Sequence, residues 1–325
     1  GLLSSMDGFI WTTELGGEGK IKVLDLLEGS DGAMWAATNE GVHLIGEEVP
    51  YLSDRSAGEL LETSNNAVWV ATNQGIAKLR AGVGRLHFDF PPAAGLEIFD
   101  MLQRKQRRND EILLATTDGV FTYIPDFSPP TLKITLINGE PFEQQAERRI
   151  GKSFILLEWK GGDVRTETAS LYYQYKVDNT PWSIPSRYTF QTFRDLVDGP
   201  QSIYLRAIDD DFNLSQPVAL SLTVDTAQPS VLIAKPVPNQ VVGGSVEIHG
   251  SILDSDLLNF EVEYRSAGTD VFQLIASGNQ SQVSSIWPAK WKTQDLLDGN
   301  YQIRVIAHDQ LGHSKEHQVD ITLDN

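Results

Sequence analysis

The 325-residue chain carries 26 Lys plus Arg against 44 Asp plus Glu, a formal net charge of −18, which argues against a binder of nucleic acid or an anionic bilayer, since such surfaces reward clustered positive charge. It has no cysteine, so disulfide scaffolds, thiol nucleophiles and Cys-based zinc sites are excluded together. At 41% hydrophobic residues a chain of this length fills cores for about two or three domains. No run reaches the roughly 18 uninterrupted apolar residues of a membrane helix. The opening Gly1-Leu2-Leu3-Ser4-Ser5-Met6 lacks the basic and apolar regions of a signal peptide. A start at Gly fits a processed chain or a fragment that begins partway into a repeat array.

Residues 1–127 are self-similar, the mark of a repeat architecture. Four segments align: Asp7-Gly8-Phe9-Ile10-Trp11-Thr12-Thr13, Asp31 to Val42, Asn65 to Ile76 and Asn109 to Val120. Each reads as turn, strand, turn, strand. The Asp-Gly and Asn-Asn pairs tolerate positive φ, the Trp/Leu-x-Ala-Thr run is β-prone, and Asn39-Glu40-Gly41, Asn73-Gln74-Gly75 and Thr117-Asp118-Gly119 close tight hairpins. Trp11, Trp35, Trp69 and Leu113 lie 24, 34 and 44 residues apart. Such uneven steps suit propeller blades with variable outer loops better than a rigid solenoid. The pattern D-G-x-[IL]-W-x-[AG]-T-x-x-G-[ILV] resembles the regulator-propeller repeats of bacterial two-component sensors. The second and third copies match nearly throughout; the fourth has Leu113 for Trp, and the first has Thr13-Glu14-Leu15-Gly16-Gly17 at the Thr-x-x-Gly turn. Four units make a small ring at most, so the resemblance implies further repeats upstream.

Pro125-Asp126-Phe127-Ser128-Pro129-Pro130 breaks this pattern and predicts a boundary. Residues 128–227 then show about six alternating strands, near Thr131–Leu136, Ser153–Trp159, Ser170–Val177, Tyr188–Phe193, Gln201–Ile208 and Val218–Val224, the spacing of an immunoglobulin-like sandwich. Tyr172-Tyr173-Gln174-Tyr175 followed by Pro181-Trp182, Tyr188 and Leu196-Val197-Asp198-Gly199 resembles the three-tyrosine domain that follows regulator propellers, and the match runs through Ile203–Asp209 to Asn213-Leu214-Ser215. Gly199-Pro200-Gln201 departs from the Gly-x-Tyr of that domain. The two resemblances in this order say more than either alone.

A second boundary is expected near Asp225-Thr226-Ala227-Gln228-Pro229, with a second sandwich over 228–325. Leu297 to Asp309 repeats Val197 to Asp209 at an offset of 100 residues without a gap. Strands are expected near Val231–Lys235, Ser245–Ile252, Asn259–Ser266, Phe272–Ala276, Tyr301–Asp309 and His317–Leu323, with Trp287 and Trp291 in the core or at its rim. This part resembles the immunoglobulin-like modules of bacterial surface proteins. The fold class is therefore all-β: a partial β-propeller-like repeat array followed by two immunoglobulin-like β-sandwiches.

Motifs for catalysis are missing: no G-x-S-x-G elbow, H-E-x-x-H helix or G-x-G-x-x-G turn occurs. Gly151-Lys152-Ser153 looks like the end of a phosphate-binding loop but leads into a strand, where that mechanism needs a helix. Asp309, His313 and His317 are four apart, a helical ligand spacing on a stretch that reads as strand, turn and strand, so no metal role is assigned. Asp209, Asp210 and Asp211, with Asn213, and the pair Asp254 and Asp256, are acidic turns of the kind that hold calcium; solvated carboxylates are the commoner case. Arg104, Lys105, Arg107 and Arg108 form a basic cluster in an acidic domain, read either as a site for an anionic ligand or as an exposed loop between blades. Trp11, Trp35 and Trp69 read as packing between blades or as a sugar platform, and Gly41, Gly75 and Gly119 as structural turn residues.

The resemblance implies the non-catalytic, extracytoplasmic sensor region of a bacterial two-component-type receptor. The partners expected are a glycan or other small extracellular ligand, a second copy in a homodimer, no nucleic acid, and a membrane only through a segment outside this chain. No cofactor is expected beyond a structural calcium, and a kinase or cyclase output would lie outside the chain. The alternatives are a secreted or surface-attached adhesion or scaffold protein, and a propeller enzyme acting on glycans.

Overall fold

A computed structural model describes residues 2–4, 12–15, 21–81, 83, 86–89, 95–105, 111–143, 148–280 and 282–325. Two compact units divide the chain: unit 1 is Gly1–Glu143, Leu156–Gln191 and Ser202–Leu220, and unit 2 is Gln144–Ile155, Thr192–Gln201 and Ser221–Asn325. Strands dominate throughout, and the described residues hold no α-helix and one 3-10 turn, at Thr168–Ser170.

Unit 1 opens with the pair β1 (Leu2–Ser4) and β2 (Thr12–Leu15), followed by three antiparallel meanders. The first is β3 (Val23–Glu28), β4 (Met34–Thr38) and β5 (Gly41–Leu44); the second is β6 (Ala57–Glu62), β7 (Val68–Thr72), β8 (Gly75–Leu79) and β9 (His87–Asp89); the third is β10 (Ile98–Arg104), β11 (Glu111–Thr116) and β12 (Gly119–Tyr123). One turn chemistry closes the β4–β5, β7–β8 and β11–β12 hairpins. Thr38, Thr72 and Thr116 each donate their hydroxyl to the carbonyl three residues on, at Gly41, Gly75 and Gly119 (2.9, 2.8 and 3.0 Å), and accept from the amide two residues on. The three glycines sit at φ of 110°, 114° and 114°, a region closed to side chains with a Cβ. The meanders pack face to face: Trp35, Val42, Tyr51, Leu60, Val68 and Leu79 make one apolar layer. Trp69, Ile76, Met101, Ile112 and Leu114 make the next.

Further along unit 1, β13 (Thr131–Ile137) pairs with β14 (Glu140–Pro141) and with β16 (Ile155–Gly162), and β17 (Tyr172–Val177) pairs with β19 (Gly199–Ile208), all antiparallel. Burial alternates along β16 and β19, as in strands covered on one face. Trp159, Tyr173, Ile203 and Leu205 are among the buried side chains here.

Unit 2 is a β-sandwich. One sheet is β21 (Ser230–Lys235), β23 (Ser245–Leu253) and β26 (Gln282–Lys292); the other has the order β22 (Val241–Val242), β28 (Ser314–Leu323), β27 (Gly299–Asp309), β24 (Leu257–Ser266) and β25 (Gln273–Gly278). Ile233, Ile248, Phe260, Trp291, Val305 and Ile321 contribute to the core between them. The short β15 (Arg148–Ile150) runs parallel to the end of β20 (Val218–Val224) within the same unit, and β18 (Phe190–Phe193) completes the strands. The expected strands are present with ends shifted by a few residues. β26, eleven residues long, was not among them, and Pro288 is the reason: a proline inside a strand argues against one. Here β26 is an edge strand with β23 as its only neighbour in the sheet, so a missing N–H is tolerated. The side chain of Trp287 lies outside the described residues, whereas Trp291 is buried.

Candidate functional site

The first strands of the three meanders share a pattern: Val23-Leu24-Asp25-Leu26-Leu27, Ala57-Gly58-Glu59-Leu60-Leu61 and Ile98-Phe99-Asp100-Met101-Leu102. At each acid the pairing with the next strand slips, between Val23 and Asp25, Ala57 and Leu60, and Ile98 and Asp100. Such a bulge leaves an amide without its ladder partner. The acid of the preceding repeat supplies one. Asp25 Oδ2 accepts from Leu60 N at 2.8 Å, and Glu59 accepts from the Met101 amide in the same way. The carboxylates therefore line up from repeat to repeat, and burial, the Asp100 charge and a hydrogen bond with Asp100 raise the Glu59 carboxyl to about 7.

Above this ladder opens a cleft of about 700 Å³ whose walls include Asp25, Glu59, Glu97, Asn73, Leu24 and Phe99. Among the described residues no basic side chain lines it. Phe99 is 62% exposed at its wall, which gives the cleft carboxylate acceptors and an apolar ring face side by side. Asn73 holds the neighbouring turn by accepting from Ser56 N (3.0 Å), as Asn39 does from Lys22 N (2.6 Å) one repeat earlier.

The acidic turn at 209–213 has a different character. Asp211 and Lys78 form an ion pair at 2.7 Å with both side chains 5% exposed. Tyr123 Oη donates to both Asp211 oxygens (2.7 and 2.8 Å), and Asp126 N donates to Oδ2 (2.8 Å). The Lys78 ammonium also lies 5.4 to 5.9 Å from the ring centres of Trp69, Tyr123 and Phe88. Burial, then the Asp211 charge, push the Tyr123 hydroxyl well above its ordinary range. Asp209 Oδ1 accepts from Asp211 N and Asn213 N, and its Oδ2 accepts from Asn213 Nδ2; burial outweighs these donors and raises its carboxyl to about 7. Asp210 accepts from Thr166 Oγ1 at 2.6 Å. Arg80 donates to the Phe212 carbonyl, and Phe212 packs with Ala67, Val83 and Ile208. Each of the three carboxylates proposed for calcium is thus met by a donor of this chain, and the place opposite Asp211 is filled by a lysine. The arrangement fits a seam between the repeats and the 205–215 stretch better than it fits a metal.

Of the basic cluster, Arg104 pairs with Glu111 on the neighbouring strand and Lys105 is exposed, while Arg107 and Arg108 lie outside the described residues, as does Trp11. Trp35 and Trp69 are each 1% exposed, beside Tyr51 and Tyr123 at 5.3 and 5.0 Å between ring centres, a position from which neither offers a face to a sugar. A Cβ on Gly41 would press into the Tyr51 carbonyl oxygen, whereas Gly119 faces open space.

In unit 2, Asp254, Asp256 and Asp309 converge within 4.8 Å. A guanidinium and an imidazole already meet them: Arg149 Nη2 lies 3.1 Å from Asp256 Oδ2 and 3.0 Å from Asp225 Oδ2, and His313 Nδ1 lies 2.6 Å from Asp309 Oδ2. That donor set does not fit a metal site. His317, four residues on, accepts from Ile233 N through Nδ1 at 3.3 Å.

No protein-family model and no curated protein matches the chain. Several solved structures do, at low identity and low TM-score. The extracellular domain of a protein described as a hybrid two component system from B. thetaiotaomicron is 16% identical with a TM-score of 0.33, over 62% of this chain and 32% of that one. The fibronectin(III)-like modules of Clostridium thermocellum CbhA are 18% identical with a TM-score of 0.33, over 60% and 94%. Three N-terminal domains of the bacteriophage RB49 outer capsid protein Hoc are 11% identical with a TM-score of 0.38, over 94% and 97%. The chain spans about a third of the length of the B. thetaiotaomicron ectodomains it matches.

Proposed function

We propose that the chain is a non-catalytic, ligand-perceiving region of a bacterial signalling receptor working outside the cytoplasm, built from propeller-type repeats, a three-tyrosine domain and an immunoglobulin-like module. The observation that carries this reading is the acid-lined cleft formed by the same strand position in three successive repeats. Its walls are tied to one another by the carboxylate-to-amide ladder, so a ligand that moves one wall strains the contacts of the next. In support of a binding role, Thr72, a hydroxyl at the cleft wall, is held in its own turn by donating to the Gly75 carbonyl. The acids of the 209–211 turn are engaged in the seam.

The lining also restricts the ligand. Carboxylates accept from hydroxyl and ammonium groups and repel anions, so neutral or amino-bearing sugars and other small polyols fit, and sulfated or uronic oligosaccharides do not. Calorimetric titration of the chain with neutral, amino and anionic oligosaccharides tests this. We expect binding from the first two groups, weakened at least about tenfold by Glu59→Gln, with no product released. Binding that is unchanged in Glu59→Gln, a preference for anionic sugars, or turnover would each overturn the reading.

A further inference from the structure

The two turns that follow β19 and β27 are bonded alike. In each, an aspartate opens the turn, its amide donates to the carbonyl four residues on (Asp209 to Asn213, 3.2 Å; Asp309 to His313, 3.1 Å), and its Oδ1 accepts from the amides two and four residues on. In each, the side chain four residues on meets Oδ2 and also reaches a backbone carbonyl far away in sequence. Asn213 Nδ2 donates to Asp209 Oδ2 (2.8 Å) and to the Asp126 carbonyl (2.7 Å). His313 places Nδ1 2.6 Å from Asp309 Oδ2 and Nε2 2.6 Å from the Gly151 carbonyl. The difference is chemical. An amide donates at any pH, whereas an imidazole facing two acceptors needs a proton on both nitrogens, and the neutral ring has only one.

We propose that His313 is a proton-operated clasp: with both ring nitrogens protonated it binds the Asp309 turn to the Gly151 carbonyl, and loss of one proton releases that carbonyl. Approach is close because residue 151 is a glycine; a Cβ there would stand 2.7 Å from the Leu311 carbonyl oxygen and 3.0 Å from His313 Cε1. The acids facing the clasp favour its protonated form, and Arg149 opposes them. The Asp309 hydrogen bond, the Gly151 carbonyl and the Asp225 charge raise the His313 pKa against its partial burial. Arg149 sits between Asp225 and Asp256 as a fixed positive charge, with Asp254 beside Asp256. Deprotonation of His313 therefore removes one of two cations from a group of four carboxylates, and the joint between the 148–151 stretch and the C-terminal sandwich is firm in acid and loose in alkali. The device stands independently of the ligand proposed above.

The test is a ring-nitrogen NMR titration of His313 in the whole chain, with hydrogen exchange of the 148–155 and 309–317 segments from pH 5 to 9, corrected for intrinsic exchange. The expected pKa lies above the ordinary histidine value of about 6.5, and protection in both segments falls at least about fivefold through it. His313→Asn, which installs the residue of the sister turn, should abolish that pH dependence while Asp309 still caps its turn. A His313 that titrates below 6.5, or an undiminished pH dependence in His313→Asn, overturns the proposal. Should that variant not fold, the wild-type ring titration decides alone.

Discussion

Asp211→Asn is the sharpest probe of the seam in unit 1. The change is nearly isosteric and keeps an acceptor for Tyr123 or the Asp126 amide, but it strands the Lys78 ammonium, 5% exposed, without its counter-charge. Removing one partner of a buried pair costs about 3–5 kcal/mol. The three ring faces around Lys78 return about 1–2 kcal/mol, which leaves a net loss of about 1–4 kcal/mol. For a unit of about 200 residues, at about 2–4 °C per kcal/mol, the melting temperature falls by about 2–16 °C. Differential scanning calorimetry on the wild type, Asp211→Asn, Lys78→Met and the double variant measures both the loss and its coupling. The double variant should recover at least about 1.5 kcal/mol relative to the sum of the singles. An Asp211→Asn protein that melts within about 1 °C of wild type, or singles that simply add, would refute the argument that charge pairing holds this seam.

Gly41→Ala and Gly119→Ala separate backbone strain from close approach. Both sites have φ near 110° and lose about 1–3 kcal/mol on that account, but Gly41→Ala should lose clearly more in chemical denaturation because its Cβ meets Tyr51; equal losses would contradict the packing described. Thr72→Val removes two hydrogen bonds in a buried turn and is expected to cost about 1–3 kcal/mol by urea denaturation. For Glu59 the sign follows from a carboxyl raised to about 7 in the folded chain: the native state holds a proton that the unfolded chain releases near pH 4.3, so the contribution is full below that value and declines as pH rises to about 7. Glu59→Gln should flatten this part of the stability profile between pH 4 and 8, and an unchanged slope would show that Glu59 does not hold the proton.

The elements most legible in the sequence are those with a local cause. Thr72-Asn73-Gln74-Gly75 states its own turn, because Thr72 bonds within the turn and only Gly75 suits the positive φ. The alternation in Gly199–Ile208 and Gly299–Asp309 likewise announces strands covered on one face. Long-range partnerships are what the residues do not announce. Asp211 reads as one of three acids in a turn, and nothing nearby says that Lys78 will neutralise it. The acids at 25, 59 and 100 escape a search keyed to the Trp motif because they lie outside it, upstream of Asp31, Asn65 and Asn109, although their shared position before Leu-Leu or Met-Leu is a usable signal. β15 and β22 are too short to show a period, and they exist because a parallel neighbour already stands there to pair with them.

The carboxylate-to-amide ladder gives the array a direction, since Asp25 and Glu59 each reach forward to the bulged strand of the next repeat. Leu26 N, in the earliest of the three strands, turns instead to the Oδ1 of its own neighbour Asp25. Parts joined head to tail in this manner are interchangeable: a whole repeat gained or lost by duplication or deletion leaves every remaining handshake chemically the same, whereas a shift by part of a repeat leaves a bulge amide facing the wrong residue. Change in array length by complete modules is therefore the variation this architecture accommodates at least cost.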